Sequence, residues 1–317
     1  MPNWNRVLEE INHKRVSGIQ AVDEVRRHYL MKLHEYTNRN TIAYYSGWLS
    51  RPPQTPNLSI GDEDKNGFMA AIHGLNRSLG LDLILHTPGG DIAATESIVD
   101  YLWTMFEKDV RVFVPQLAMS AGTMIACSAK NIVMGKESSL GPIDPQLGGV
   151  AAQAVLDEFQ MATESIKRDP ATIPLWQSII GKYHPTFLYE CLQAIEWSQS
   201  MVKEWLKNNM FLGESDNEEK SQRVLNEIAD HSSTKTHSRH FSLKKCLEIG
   251  LKVDELEKDG ELQDLVLTVH HAFMHTFSQS SAVKILENHS GVATVLVGNL
   301  SQDPPLFGLN IPLKKGT

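Results

Sequence analysis

Apolar residues along the first part of the chain change their spacing in a regular way. Residues 5–37 carry them at helical spacing, which predicts one or two amphipathic helices. Residues 41–45 are a short β-rich run and form the first predicted strand. A Pro-rich polar segment, residues 51–67, predicts a solvent-exposed loop, and residues 65–79 predict a helix that ends at Gly80.

Three predicted strands then alternate with two predicted helices. The strands are residues 81–86, 110–114 and 131–134, and the helices are residues 91–106 and 118–129. Strands that alternate with helices of this length are joined by right-handed crossovers, which give a largely parallel sheet. The pattern therefore predicts an α/β fold.

Beyond Gly149 the chain is mainly helical in pattern. The predicted elements are helices at 150–168, 185–212, 216–229 and 262–289, a segment at 236–250 that ends in a helix capped by Gly250, and a strand at 293–297. We divide the chain into an N-terminal helical extension (1–38), an α/β core with inserted helices at about 150–230 (39–255), and a C-terminal helix and tail (256–317).

Composition narrows the classes of function. The 317 residues include 30 Lys and Arg against 38 Asp and Glu, a formal net charge of -8, and no basic stripe is present. Nucleic acid binding needs a surplus of basic residues on one face, so we expect no nucleic acid partner. Three cysteines are too few for a disulfide framework, which favours a reducing compartment.

Neither a secretory signal nor a membrane span is predicted. The N-terminal residues are charged and amphipathic, without an apolar stretch followed by a small-residue cleavage site. No window reaches the ~18 uninterrupted apolar residues that a membrane span requires. We therefore expect a cytoplasmic protein.

Two turns between a strand and a helix contain candidate functional residues. Pro88-Gly89-Gly90 follows the 81–86 strand, and paired glycines let backbone N–H groups approach a ligand closely. Ser120 lies at the next such junction, where a serine is either a helix cap or an exposed nucleophile. Because the strands are parallel, both turns should lie at the same carboxyl edge of the sheet.

Three blocks in this order resemble the Clp-protease/crotonase superfamily of serine peptidases. They are HTPGGDI at 86–92, AMSAGTMIA at 118–126 and IVMGKESSLGPIDPQLGG at 132–149. Within that superfamily, MSAGTMIA and LGPIDPQ are similar to the serine dehydrogenase proteinase family. The resemblance covers about residues 40–255 and implies a Clp/crotonase-like parallel sheet with ββα-type units.

The resemblance also implies roles for four residues. Ser120 stands at the position of the superfamily's nucleophile. The backbone N–H groups that bind the oxyanion map to Gly89 or Gly90 and to Ala121. Loss of one oxyanion donor typically costs ~2.7–4 kcal/mol, so the identity of these donors matters for turnover.

The histidine and aspartate that accompany the nucleophile in the Clp proteolytic subunit have no counterparts in this sequence. The histidine position is occupied here by Asp144, and the aspartate position by Ser238. Signal peptide peptidase A instead uses a Ser-Lys dyad, for which Lys182 is the best positional match and Lys167 the second. A lysine becomes a base when partial burial lowers its pKa.

Histidines are the alternative bases. His237 and His240 flank Ser238-Arg239. Histidine is the side chain whose ordinary pKa lies closest to neutral pH. Asp144 could orient a base or a substrate amine, or simply belong to an Asp-Pro turn.

No metal or cofactor is predicted. His271 and His275 have one-turn helical spacing but lack an accompanying carboxylate or cysteine, and neither HExxH nor paired CxxC is present. The Walker and dinucleotide glycine patterns are also missing. An α/β-hydrolase elbow is excluded because Ala118 stands where that motif needs glycine.

These observations favour a serine peptidase that acts on a peptide or unfolded protein through an acyl-enzyme on Ser120. A crotonase-type acyl-CoA enzyme could use the same oxyanion hole, and an inactive Clp-fold scaffold is the third hypothesis. Superfamily members typically assemble into rings or stacked trimers, so the resemblance implies a homo-oligomer.

Overall fold

The computed structural model describes residues 4–16, 21–229 and 239–298. Its centre is a seven-stranded sheet in the order β10-β5-β3-β2-β1-β11-β12, with a three-stranded sheet β4-β6-β9 and a hairpin β7-β8 beside it. The strands are β1 Asn40–Ser46, β2 Leu81–His86, β3 Val110–Val114, β4 Leu117–Ala118, β5 Asn131–Met134, β6 Ser139–Leu140, β7 Gln146–Leu147, β8 Val150–Ala151, β9 Phe241–Ser242, β10 Val253–Glu255, β11 Ala282–Asn288 and β12 Ala293–Val297.

Five strands of the central sheet are parallel, from β10 to β1, while β11 and β12 are antiparallel. Every residue of β1 and β2 is buried. Parallel strands are covered by helices on both faces, which explains why LDLILH in β2 is mainly apolar, with Asp82 and His86 as its two buried polar residues. The predicted α/β class and its largely parallel sheet are confirmed.

Helices cover both faces of the sheet. Their bounds are α1 Trp4–Val16, α2 Ala21–Thr37, α3 Glu63–Ile72, α4 Ile92–Phe106, α5 Ala121–Cys127, α6 Ala152–Arg168, α7 Ile173–Ile180, α8 Phe187–Trp205, α9 Asn217–Ala229, α10 Leu243–Ile249 and α11 Gly260–Gln279. Short 3-10 turns occur at Trp48–Ser50, Arg77–Leu79, Pro170–Thr172 and Leu256–Lys258, and a π-turn, Leu206–Met210, follows α8.

The two faces have separate apolar cores. Leu83 and Leu85 of β2 point into one core together with residues of α3, α4, α5, α9 and α10. Ile84, between them, points into the other core, which is formed with α1, α2 and α11. This alternation is the period-two arrangement of strand side chains, and it gives a three-layer α/β/α architecture.

The helices α6 and α7 and the start of α8 form an excursion from this core. A small apolar cluster of their own includes Ala152, Val155 and Cys191. Several large apolar side chains on the excursion are exposed, among them Leu175 at 60% and Tyr189 at 63%.

The C-terminal segment differs from its predicted structure. Residues 262–289 were expected to be one helix, but α11 ends at Gln279 and β11 follows it. β11 pairs along β1, and β12 pairs along β11, so these two C-terminal strands belong to the central sheet. The buried Lys284 and Glu287 interrupt the apolar residues of β11, so the sequence pattern did not indicate a buried strand.

The Pro-rich loop also differs from its prediction. Leu58 and Ile60 are 6% and 2% exposed, although the whole segment was expected to face solvent. The helix predicted at 65–79 is divided into α3 and a 3-10 turn. In the described part of the chain, no helix is long and apolar enough to cross a membrane.

Candidate active site

The two turns singled out in the sequence meet at the carboxyl edge of the sheet. β4 continues the ladder beyond the end of β2: the Thr87 N–H donates to the Leu117 carbonyl at 3.1 Å, and the Met119 N–H donates to the Thr87 carbonyl at 3.0 Å. These bonds bring Ser120, the next residue, against the glycine turn. The expected convergence of the two turns is therefore present.

Gly89 lies directly against the Ser120 turn. Its φ is +100°, and a Cβ added there would be 2.7 Å from both the Met119 carbonyl oxygen and the Ser120 Cβ. Only glycine fits this approach without displacing backbone. The Gly89 N–H donates to the Thr87 hydroxyl at 3.1 Å. Gly89 thus provides close contact, and its own donor has a partner inside the turn.

Gly90 is exposed and has a different neighbour. A Cβ at Gly90 would overlap the backbone N and O of Ile60. The Ile60 N–H donates to the Gly89 carbonyl at 2.8 Å, and the Asp91 N–H donates to the Ile60 carbonyl at 3.0 Å. In a parallel bridge of this kind the N–H of Gly90 itself takes no part.

Ser120 has an unusual backbone for a serine. Its φ is 52° and its ψ is -117°, in a region that side-chain-bearing residues rarely adopt. Although Ser120 occupies the N-cap position of α5, its hydroxyl makes no capping hydrogen bond, and the residue is half-buried. The helix-cap interpretation of this serine is therefore not supported.

The loop after β6 packs on the same turn. The Thr123 hydroxyl donates to the Ala118 carbonyl at 2.9 Å and accepts from the Gly141 N–H at 2.9 Å. A Cβ at Gly141 would be 3.4 Å from the Met119 Cα. Sequence analysis did not select Thr123, because an isolated threonine in an apolar helix has no distinguishing pattern.

Asp144 lies three residues further along this loop. It is buried, at 4% exposure, and accepts a hydrogen bond from the Gln146 amide at 3.2 Å. Of the candidate bases and orienting groups, Asp144 is the one whose own loop contacts the Ser120 turn in the described structure.

The two candidate lysines lie on the helical excursion. Lys182 is exposed in the turn after α7, and its backbone N–H donates to the Ile179 carbonyl at 3.1 Å. Among the described residues its ammonium forms neither a hydrogen bond nor an ion pair, so the burial expected of a lysine base is missing in the single chain. Lys167, at the end of α6, is exposed as well.

The candidate histidines are less well defined. His237 and Ser238 lie outside the described residues, and His240 is exposed. His270 and His275 are buried in α11, and within the described ranges no group of three or more His, Cys, Asp or Glu could hold a metal.

Sequence analysis missed a buried histidine at the end of β2. His86 immediately precedes the glycine turn, and its ring packs against Trp48 at 4.3 Å and His270 at 5.2 Å. Burial, together with His270, lowers the pKa of His86 well below its ordinary value, so the ring is neutral. A single histidine ending an apolar strand carried no signal for this cluster.

Comparison with known proteins gives relatives of unassigned function and a distant structural likeness. MJ1495 and MJ0137, two uncharacterized proteins of Methanocaldococcus jannaschii, are 30% and 33% identical over 192 residues, 61% of this chain. The matched segments span 58% and 59% of those relatives, less than two thirds of their length.

Two solved structures of the 1510-N membrane-bound stomatin-specific protease, both mutants, are also similar. One holds a substrate peptide and has a TM-score of 0.37 at 18% identity, with 64% of this chain and 74% of that chain covered. The other has a TM-score of 0.35 at 17% identity, with 64% and 78% covered.

Residues 57–268, more than half of the chain, match the family model described as ClpP-like SDH-type serine proteinase. The matched range includes the glycine turn, Ser120 and the loop that holds Asp144. The resemblance inferred from the three sequence blocks is thus confirmed, and the chain belongs to the ClpP-like SDH-type serine proteinase family.

Proposed function

We propose that this chain hydrolyses peptide bonds through an acyl-enzyme on Ser120. The main support is the close approach of Gly89 to the Ser120 turn, where an added Cβ would be 2.7 Å from the Ser120 Cβ. We infer from this approach that the Ser120 hydroxyl and backbone donors lie around one point at the carboxyl edge of the sheet. Acyl transfer needs that combination of a nucleophile and an oxyanion hole.

Gly90 and Ala121 are the proposed oxyanion donors. The Gly89 N–H already donates to Thr87. In this proposal Gly89 therefore allows the close approach of the Ser120 turn, and Gly90 provides the N–H that binds the oxyanion. Ala121 is the first residue of α5, where a backbone N–H has no partner within the helix. Two fixed backbone donors stabilise the oxyanion without reorganisation during the reaction.

The proposed reaction has two steps. The Ser120 Oγ attacks the peptide carbonyl carbon while a base accepts its proton, and the same base then donates that proton to the departing amine. Water hydrolyses the resulting ester by the reverse proton transfers and releases the second product. No cofactor or metal takes part in this proposal.

The proposed function is tested by labelling and turnover. A fluorophosphonate probe should label the wild-type chain on Ser120, and Ser120→Ala should lose both labelling and peptide hydrolysis. Ser139→Ala, which removes a hydroxyl from neighbouring β6, should keep both. Peptide hydrolysis that persists in Ser120→Ala would contradict the acyl-enzyme, and a wild-type chain that neither labels nor hydrolyses would favour the inactive scaffold.

Lys182, His237 and Asp144 are the proposed candidates for the base and its orienting group. Replacing the base should lower kcat by about 10²–10⁴-fold. Lys182→Ala should remove a rise in kcat at alkaline pH if lysine is the base, whereas His237→Ala should remove a rise near neutral pH. Asp144→Asn should reduce turnover in either case if Asp144 orients the base, and unchanged turnover would remove it from the site.

Self-association and location are further proposals. Exposed apolar side chains on the helical excursion, such as Leu175 and Tyr189, support a homo-oligomer in which a second copy covers them. A monomer in light scattering at micromolar concentration would contradict this. All three cysteines are free and buried, which supports a cytoplasmic location; secretion with an intact fold would contradict that.

A further inference from the structure

A short segment under the glycine turn is held on both of its edges. Residues 58–61, here called the strap, run beside Gly89 and Gly90. On the inner edge, the Ile60 N–H and carbonyl bond the Gly89 carbonyl at 2.8 Å and the Asp91 N–H at 3.0 Å. These two bonds fix the peptide groups on either side of Gly90.

The outer edge of the strap is bound by side chains from the sheet and from α3. The Ser46 hydroxyl donates to the Leu58 carbonyl at 2.7 Å. The Lys284 ammonium donates to the Ser59 carbonyl at 2.7 Å. The Gly61 N–H donates to the Asp64 carboxylate at 3.0 Å. The strap thus has little freedom to move away from the glycine turn.

Two of these side chains form a buried ion pair. The Lys284 ammonium lies 2.8 and 2.9 Å from the two Asp64 oxygens, and the side chains are 2% and 4% exposed. The Tyr44 hydroxyl donates to the same carboxylate at 2.7 Å. Glu63, which is about half exposed, lies 3.5 Å from the ammonium.

Such a pair is poorly explained by stability alone. The desolvation of two buried charges can exceed their attraction, so well-packed apolar residues are often as stable or more stable. Charged and hydrogen-bonded groups differ from apolar ones because their interactions are directional. Each bond therefore fixes the position of a particular strap atom. The pair therefore acts on the geometry of the strap.

We propose that Asp64 and Lys284 are positioning residues that act through the strap to hold the Gly90 N–H in the oxyanion hole. The inference rests on the proposed peptidase function, in which Gly90 is an oxyanion donor. Neither side chain touches the substrate in this proposal. The strap contacts Gly90 so closely that a Cβ there would overlap Ile60, so a displaced strap displaces the donor.

The test compares Asp64→Asn and Lys284→Met with Glu287→Gln. Glu287 lies on the same strand as Lys284 and forms its own buried ion pair with Arg26. It is two residues from Ile285, so its side chain lies on the opposite face of the strand from Lys284, toward the other core. All three variants disrupt a buried ion pair of β11, and only the first two act on the strap. The measurements are kcat and KM on a peptide, the melting temperature, and amide hydrogen exchange at Ile60 and Asp91.

We expect both strap variants to lower kcat by about 10- to 100-fold with KM within about twofold, because the oxyanion bond strengthens only in the transition state. Amide hydrogen exchange at Ile60 and Asp91 should also become faster in the strap variants. At an equal loss of melting temperature, the increase should be about tenfold larger than in Glu287→Gln. Glu287→Gln should keep kcat within about twofold of wild type once it is folded.

A milder pair of variants keeps the test available if the strap variants fail to fold. Tyr44→Phe removes one bond to Asp64, and Ser46→Ala removes the bond to Leu58. Each should lower kcat by several-fold and quicken exchange at Asp91. Strap variants that match Glu287→Gln in kcat, or that leave exchange at Asp91 unchanged, overturn the proposal.

Failure of the proposed function would have a different signature. In that case Ser120→Ala would leave peptide hydrolysis unchanged, or the wild-type chain would show none. The exchange measurement does not depend on activity, so it still shows whether Asp64 and Lys284 hold the glycine turn.

Discussion

At the scale of single residues, Ser120 has a strained backbone conformation. A positive φ in a residue that carries a Cβ costs of order 1–3 kcal/mol, and Ser120 has a φ of 52°. The hydroxyl does not recover this energy through a capping bond. In the proposed function, the benefit of this conformation is that Oγ acts as a nucleophile and not as a helix cap.

Ser120→Gly should therefore be more stable than Ser120→Ala. Both variants remove the hydroxyl, but only glycine accepts the positive φ without strain. After allowance for the larger entropy of glycine in the unfolded chain, we expect a difference of about 1 kcal/mol in the free energy of unfolding. Denaturant titration measures it, and an alanine variant as stable as the glycine variant would contradict the strain.

At the scale of secondary-structure elements, the site depends on the contact between two turns. Gly89 is the middle residue of the turn after β2, and its missing Cβ is what lets β4 and the Ser120 turn approach. The bonds between Thr87, Leu117 and Met119 fix the same approach from the ladder side. A change at Gly89 therefore acts on folding and on the site together.

Gly89→Ala should destabilise the chain by about 3 kcal/mol or more and abolish labelling of Ser120, since strain and overlap add. Gly149→Ala is the matched control: Gly149 has a φ of +82° but no atom within 4 Å of an added Cβ. That variant should lose only about 1–2 kcal/mol and keep labelling. Equal losses in the two variants would show that overlap at Gly89 is unimportant.

At the scale of the whole molecule, the core between the sheet and α11 contains neutral histidines. Burial, with a smaller effect of His271, lowers the pKa of His270 to about 3. His270 contacts Tyr45 at 3.4 Å and packs near His86, which is also neutral. The unfolded chain, by contrast, protonates its histidines below pH ~6.5.

The free energy of unfolding should consequently fall as the pH is lowered from about 6.5 toward 3, because over this range the unfolded state binds protons that the folded state does not bind. For His270 alone the loss between pH 6 and pH 4 is about 2.5 kcal/mol. We expect His270→Gln to reduce the pH dependence of the unfolding free energy by that amount. The exposed His28→Gln is the control, and an unchanged slope in His270→Gln would contradict the prediction.

Much of the sheet and the two turns of the candidate site could be predicted from local sequence. The runs at 81–86, 110–114 and 131–134 coincide with β2, β3 and β5. Parallel strands buried on both faces are mainly apolar, so each can be predicted without knowledge of its neighbours. The two turns at Gly89 and Ser120 were identified because glycine and serine at strand-to-helix junctions have few roles.

Other features depended on partners distant in the chain. β11 was predicted as helix because Lys284 and Glu287 interrupt its apolar pattern, and only pairing with Asp64 and Arg26 lets these charges be buried. The strap was predicted as an exposed loop, although Leu58 and Ile60 alternate with a polar residue as in a half-buried strand. The general base stays a prediction.

The sequence by itself determined the α/β class, the positions of the first strands along the chain, and the two turns with Gly89 and Ser120. These features arise from local rules: strand burial, glycine geometry and the parallel edge of the sheet. Only the tertiary structure decided that the Gly89 N–H is bonded to Thr87, and that Ser120 has a positive φ. It also decided that Asp64 and Lys284 bind the outer edge of the strap. Those outcomes depend on contacts between residues far apart in the chain, whose energies no local pattern contains.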